Sequence, residues 1–578
     1  MKKLIFLSML ISALALTFTS CELDDEDDSL VVHDIINESI TTQVNWYLGT
    51  YVIEGTLYIQ NGGHLTIAPG STIKFMDGAK IVVTGSNSKL TAIGTQSDPI
   101  TFTSNSTTPS AGDWDYISFE QSASSSSTLT YCNLEYGGGY ASSYGGMLWI
   151  EDATISVNNC SFSNSGYHGV VCEDDSHFSS FTNNVATDNV GYDIEIEGNW
   201  AHTIGTGNIL NGKGIFVNGD YYDQTSATWL LQTAPYTIDG TLYIKHDNGA
   251  ELIIEAGNII QFTNGGKIEV GFNGYGTLKA NGTEELPILF TSSATQKQPG
   301  QWDYIDFGPQ TSNTSVLNYC VIEAGGGYAS YYGSVILEDC SVHITNTEVR
   351  LSEAYGISLH DDAYFIDFTG NYVHDCNSYE VFIQGNYVHS IGVANQWDED
   401  GMGIKVDGDY FTQPDRTWLA QSAAYVIDGN IYVGSETGSV LRIEAGATLK
   451  FTEGNYMEIG YSDYGSLVAI GTPSDPIIFT TAAPLGTEQP GQWDGIFFSS
   501  NTMNGATMDY CDISYGGGYS TSYNNGNINL SDVTSGSPTI SNCTISYSEG
   551  WGIYNDNSNP TLINNTFVGN ANGDMGSK

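Results

Sequence analysis

Two sets of residues have types and spacing that could do chemistry. The first is acidic: Glu173, Asp174 and Asp175 stand together, and Glu195 and Glu197 follow in YDIEIEGN. The apolar alternation turns Val170 and Cys172 inward and Glu173 outward. It likewise turns Ile194 and Ile196 inward, leaving Glu195 and Glu197 outward. On adjacent turns of a coil such carboxylates would lie about 5 Å apart, the separation a retaining glycosidase needs. Crowding would then raise one pKa and set an acid beside an anion. In a chain this negative, acidic clusters also arise by chance.

The second set is aromatic and occurs three times, as YGGGYASSYGG, AGGGYASYYGS and YGGGYSTSYNN. Three consecutive glycines mark a bend or an excursion rather than a strand. Tyr140, Tyr144, Tyr328, Tyr331, Tyr332, Tyr519 and Tyr523 sit on or beside these loops. A flat ring with a hydroxyl suits stacking on a neutral sugar. Equal spacing along a rod would make a multivalent strip in which weak sites add. The competing reading has the same rings packing on the outside of the coil and shielding strand edges.

Other constellations fall short of chemistry. The G-x-W-D motif recurs at Trp114, Trp302 and Trp493, where an indole would cover a turn. Gln301 and Gln492 replace Asp113, which argues against a fixed metal ligand. A β-elimination lyase needs a strong cation and a base, yet the only arginines are Arg350, Arg416 and Arg442, far apart. His202 and His389 match between copies and read as bend residues. No cofactor is expected; the loops NGDYYD and DGDYF offer carboxylates and carbonyls suited at most to Ca²⁺. Cys132 and Cys160 lie 28 residues apart in matching contexts. Stacked on neighbouring turns they could form a disulfide or pack as free thiols.

All of these residues must be positioned by one long repeat. The three tryptophans of the motif are 188 and 191 residues apart. Module one spans 45–228, module two 229–417 and module three 418–578. The third is incomplete, lacking counterparts of GKGIFVNGDYY and GMGIKVDGDYF. Each module consists of runs of four to six residues, alternating with period two, rich in Val, Ile, Thr and Tyr, and cut by Gly, Pro, Asn and Asp. A finer period appears in Asn159, Asn184 and Asn208. Turns of this size cannot bury an inward face alone. Stacked at about 4.8 Å they pair every strand with its copy above and below, giving a parallel solenoid of about twenty turns and about 100 Å.

The segment 1–20 reads as a signal peptide and 21–44 as an acidic tether and cap. Lys2 and Lys3 precede an apolar run, and small residues lead into Cys21, which is followed by ELDDEDD. This resembles a bacterial lipoprotein signal with Cys21 as the lipidated residue. It implies an exported, surface-exposed protein of the outer membrane that meets the membrane through its lipid anchor only. With 66 acidic and 16 basic residues the formal net charge is −50, which disfavours nucleic acid, anionic lipid and polyuronate as partners.

The pattern G-x-L-x-I-x-x-G, then P-G/A-G-x-x-I-x-F, then G-x-W-x-x-I-x-F resembles the right-handed parallel β-helix proteins with a pectin-lyase-like fold, in particular surface lipoproteins of the Bacteroidetes type. The resemblance implies an all-β fold, a single right-handed parallel β-helix of three modules. It implies no one activity, because that fold hosts lyases, hydrolases, adhesins and scaffolds. Polygalacturonase-like members use clustered aspartates with a histidine and a basic residue. His168 is near the acidic set, but no Arg–Ile–Lys-like segment accompanies it. The expectation is a non-catalytic surface scaffold that displays tyrosine loops to a neutral glycan or a surface protein. The alternative is a glycoside hydrolase using Glu173, Asp174, Asp175, Glu195 or Glu197.

Overall fold

The computed structural model describes residues 32–140, 145–330, 332–519 and 525–578. Cys21, Tyr144, Tyr331 and Tyr523 lie outside the described residues. Short strands follow one another around a coil, and each, except those at the ends of a sheet, pairs in parallel with the strand one turn above and below. Among the described residues six sheets result, and the only helical segments are two 3-10 turns, Gly198–Thr203 and Gly385–Ser390.

Alternation fills the bore. One inward column runs in register from Tyr51 through Ile73, Phe102, Leu134, Phe162 and Ala186 to Leu210, and every member is buried. Each such aliphatic or aromatic side chain contributes about 1.5–3 kcal/mol on leaving water. The bends carry the amide ladder, shifted from its predicted register. Asn208 Oδ1 accepts from the Asn184 backbone N–H (3.0 Å), and Asn184 Oδ1 accepts from that of Cys160 (2.9 Å). The rung below Asn184 is therefore Cys160. Asn159 instead takes a left-handed backbone conformation (φ 55°), as does Asn183 (φ 56°).

The modules do not stack face on face. The second face of module one runs from Ser39–Ile40 to Ile215–Asn218 and then pairs with Tyr236–Asp239. In sequence, PYTIDGTLYI matches TYVIEGTLYI of module one, which lies on that module's first face. The second face of each module thus becomes the first face of the next. The same handover recurs where Ile404–Phe411 pairs with Tyr425–Val433, two long strands that serve both faces at the corner. The tyrosine loops belong to the second face of each module, so they point in different directions. The single multivalent strip expected from equal spacing does not form, because equal spacing along the chain carries a one-face rotation.

Candidate functional site

The loops begin with a plug. Trp114, Trp302 and Trp493 are fully buried, and each indole stacks on a phenylalanine of the coil at 4.2–4.4 Å (Phe75, Phe262 and Phe451). Each Nε1 donates to a backbone carbonyl at 2.8 Å, that of Glu135, Glu323 or Ser514. This explains the glycine triplet. A Cβ at Gly137 would strike the Trp114 indole, Gly138 takes φ +78°, and a Cβ at Gly139 would strike the carbonyl of Gly112. The indoles are structural, as their repetition suggests, although they fill the interior rather than cover a turn. Asp113, Gln301 and Gln492 all accept from a backbone N–H three residues earlier, which is why carboxylate and amide interchange there.

In modules one and two the loop tyrosine closes over a lysine. Tyr140 packs edge-on against Tyr116 at 5.6 Å, and Tyr328 against Tyr304 at 5.5 Å. The Lys80 ammonium lies 5.0 and 5.5 Å from the first two rings, and that of Lys267 lies 5.0 and 5.1 Å from the second two. Asp115 pairs with Lys80 at 2.8 Å and Asp303 with Lys267 at 3.5 Å. Burial alone would lower the Lys80 pKa, but its Asp115 partner turns the shift upward. Tyr332, half-buried, packs between Tyr328 and His360.

Module three keeps the aspartate and the loop tyrosine but not the lysine. Tyr456 stands where the other copies have Lys80 and Lys267, and Gly495 replaces Tyr116 and Tyr304. Stacking brings the two changes together, since Tyr456 is in register with Gly495. The cation is thereby removed, a ring moves from the upper strand to the lower one, and a groove of about 460 Å³ opens. Tyr432, Tyr456, Tyr461, Phe497, Tyr519 and Tyr554 supply its aromatic surface. Tyr519 is 59% exposed and meets Phe497 at 5.2 Å and Tyr456 at 6.0 Å, both edge-on. The Tyr432 and Tyr456 hydroxyls are 2.9 Å apart.

The charged groups lining this groove are acidic, beside the neutral Ser499, Asn529 and Ser531. Glu458 accepts from the Ser499 hydroxyl at 2.6 Å; burial pushes its pKa up and that bond opposes the shift. Asp556 lines the far end and pairs with Lys578 at 3.2 Å. Asp494, next to Gly495, is 8% exposed, and burial raises its pKa to about 6. A volume of this size, walled by rings and a few convergent polar groups, suits a small ligand or a short oligomer.

The acidic set of module one is arranged otherwise than its spacing suggests. Glu195 lies opposite Val171, and Glu173 stacks on Glu151. Glu195 is on the outer side of its strand, yet only 5% of it is exposed. His168 Nε2 lies 3.0 Å from one of its oxygens, and Asn218 donates to the other at 3.0 Å. His168 Nδ1 accepts from the Tyr192 N–H at 2.8 Å, so the ring donates to Glu195 through Nε2. Glu173 Oε2 accepts from the Trp149 indole at 3.0 Å, while its buried Oε1 has no partner. Burial pushes its pKa to about 7, the Trp149 bond opposing and the charges of Glu195 and Glu151 adding. Glu197 accepts from the Asp175 N–H at 3.3 Å, and Asp174 and Asp175 form a left-handed turn (φ 49° and 58°). The five carboxylates are neighbours, but strand register sets Glu173 opposite Glu151 and Glu195 opposite Val171 rather than each other.

Module two has its own acidic pair. Asp306 is in register with Glu269, and its Oδ1 is buried without a partner. Burial, then the charges of Glu338 and Glu269, push its pKa to about 9. Among the described residues no group of three or more His, Cys, Asp or Glu side chains could hold a metal ion. The described cysteines are free, and those at Cys132, Cys160, Cys511 and Cys543 are buried thiols. His202 and His389 sit in the two 3-10 turns, each bonded to a backbone carbonyl three residues earlier.

Fold and loop geometry together define a three-module parallel β-helix with an open aromatic groove in module three. A family model, the Pectate-lyase like beta helix domain, matches residues 38–150, 222–345 and 411–534, together more than half of the chain. The chain belongs to that family. No curated protein matches it. Of the residues lining this groove, the sequence singles out Tyr519, and not Tyr432, Tyr456, Glu458, Tyr461, Phe497 or Tyr554. One signal was legible, the change from WDY to WDG in the third copy, which marks where a ring is lost.

Proposed function

We propose that the protein is a non-catalytic, cell-surface β-helix that binds carbohydrate through the groove of module three, anchored to the outer membrane by a lipid on Cys21. The observation that carries this reading is the groove itself, six aromatic side chains around about 460 Å³ with Tyr519 at its mouth. Rings presented edge-on to one another leave faces free for the C–H surface of a sugar, and the flanking hydroxyls and carboxylates supply hydrogen bonds. Modules one and two then act as the stalk, their loops closed by lysine. The test is a glycan array followed by calorimetry. Binding should fall about tenfold or more in Tyr519→Ala and stay unchanged in Tyr140→Ala. Equal loss in both variants, or in neither, refutes the assignment. Release of the protein from membranes by Cys21→Ser tests the anchor.

A second reading, a glycoside hydrolase in module one, draws on the Glu173 carboxyl held near neutrality beside Trp149. Reducing-sugar release that disappears in Glu173→Gln and Glu195→Gln would establish it.

A further inference from the structure

The ligand class of the same groove can be narrowed by asking what the groove lacks, an argument that rests on the carbohydrate-binding reading above. Modules one and two give the rule for this position of the coil. A primary ammonium sits about 5 Å over two tyrosine rings and beside an aspartate, at Lys80 with Tyr116, Tyr140 and Asp115, and at Lys267 with Tyr304, Tyr328 and Asp303. Module three keeps the loop ring, Tyr519, and the acid, Asp494, and has Tyr456 where the cation belongs. Asp494 is more than nine-tenths buried, and among the described residues burial alone acts on its carboxyl, with no hydrogen bond or ion pair opposing it. Glu458 and Asp556 are the carboxylates that line the groove itself, while Asp494 lies outside that lining, next to Gly495 in the chain. The one lysine paired there, Lys578, has a side chain 71% exposed and holds only Asp556.

We infer that the groove of module three is specific for glycans bearing a free amino group, the sugar ammonium taking the place that Lys80 and Lys267 fill in the other modules. The ammonium meets the faces of Tyr456 and Tyr519 and the charges of Glu458 and Asp494. Phe497 and Tyr461 receive the apolar side of the pyranose ring. A neutral sugar could use the rings but would leave the carboxylates uncompensated, and an anionic one would be repelled.

The experiment is calorimetric titration of the purified protein with a glucosamine tetramer and with its fully N-acetylated counterpart, near pH 6 and in about 0.3 M salt, where exposed carboxylates are screened. The free amine should bind at least about tenfold more tightly than the acetylated form. Tyr456→Lys, which restores the residue the other modules carry, and Asp494→Asn should each remove that preference while leaving the β-rich circular dichroism unchanged. Equal affinity for the two oligomers, both lost in Tyr519→Ala, overturns the ammonium inference and leaves the carbohydrate reading intact. No binding of either oligomer or of any arrayed glycan overturns both. A tetralysine amide that binds as tightly as the glucosamine tetramer, with the same dependence on Tyr456 and Asp494, overturns the glycan class in favour of a basic protein partner.

Discussion

Modules one and three share their buried plug, their glycine triplet and their loop tyrosine, yet one is closed and the other open. Trp114 and Trp493 are equally buried and make the same indole-to-carbonyl bond. Above that plug, Lys80 fills the space under Tyr140. Under Tyr519 there is Tyr456, with Gly495 beside it where module one has Tyr116. Conservation of the scaffold with replacement of two outward residues converts a packing element into a groove. Repetition of the loop therefore reports how the coil is built, and departure from the repeat reports where a ligand could sit.

The comparison can be broken first at its common part. Trp493→Ala and Trp114→Ala should each cost about 3–5 kcal/mol, because both leave a cavity and an unpartnered carbonyl. Denaturant unfolding followed by circular dichroism measures this, and a much smaller cost in module three would mean that its loop is not held by the same plug. Next comes the closed state. Lys267→Ala should destabilise module two by about 1–2 kcal/mol through the loss of two cation–π contacts and the uncompensated charge of Asp303. No change would show that the lysine is a bystander and that the tyrosine pair closes the loop by itself.

The smallest effect concerns a position that differs in all three copies: Ser118, Asp306 and Phe497. Only module two buries a carboxyl there. Its folded pKa, about 9, lies above the unfolded value, so the stability linked to its proton is fully present below about pH 4. That contribution is lost as the pH rises through the folded pKa. Asp306→Asn should leave the melting temperature nearly unchanged at about pH 4 and raise it at about pH 9. A gain at acidic pH instead would show that Asp306 is ionised in the fold.

Much of the molecule was legible from sequence because its physics is local. Alternation of Ile, Leu, Val and Phe with polar residues assigns an inward and an outward side to each run. A run of four to six residues cut by Gly, Asn or Asp has to turn, and a turn that cannot bury its inner face has to stack. The Asn184–Asn208 ladder and the buried Cys132 and Cys160 follow from the same columns. The acidic set shows where local reading stops. Alternation correctly put Glu173 and Glu195 on the outer side, but which residue lies opposite which is a matter of inter-strand register, and Glu195 meets Val171. Burial of an outward carboxylate by His168 and Asn218 is equally invisible along the chain.

The sequence by itself determined the strands, the coil, the three copies and the identity of the loop tyrosines, because each depends on residues within a single turn or on repetition. Only the tertiary structure decided that successive modules rotate by one face and that Lys80 and Lys267 close two of the loops. It also decided that Tyr456 and Gly495, 39 residues apart, meet to open the third. The reason is physical: lateral pairing of turns brings together side chains that no period along the backbone relates, and a groove is made by what those neighbours fail to fill.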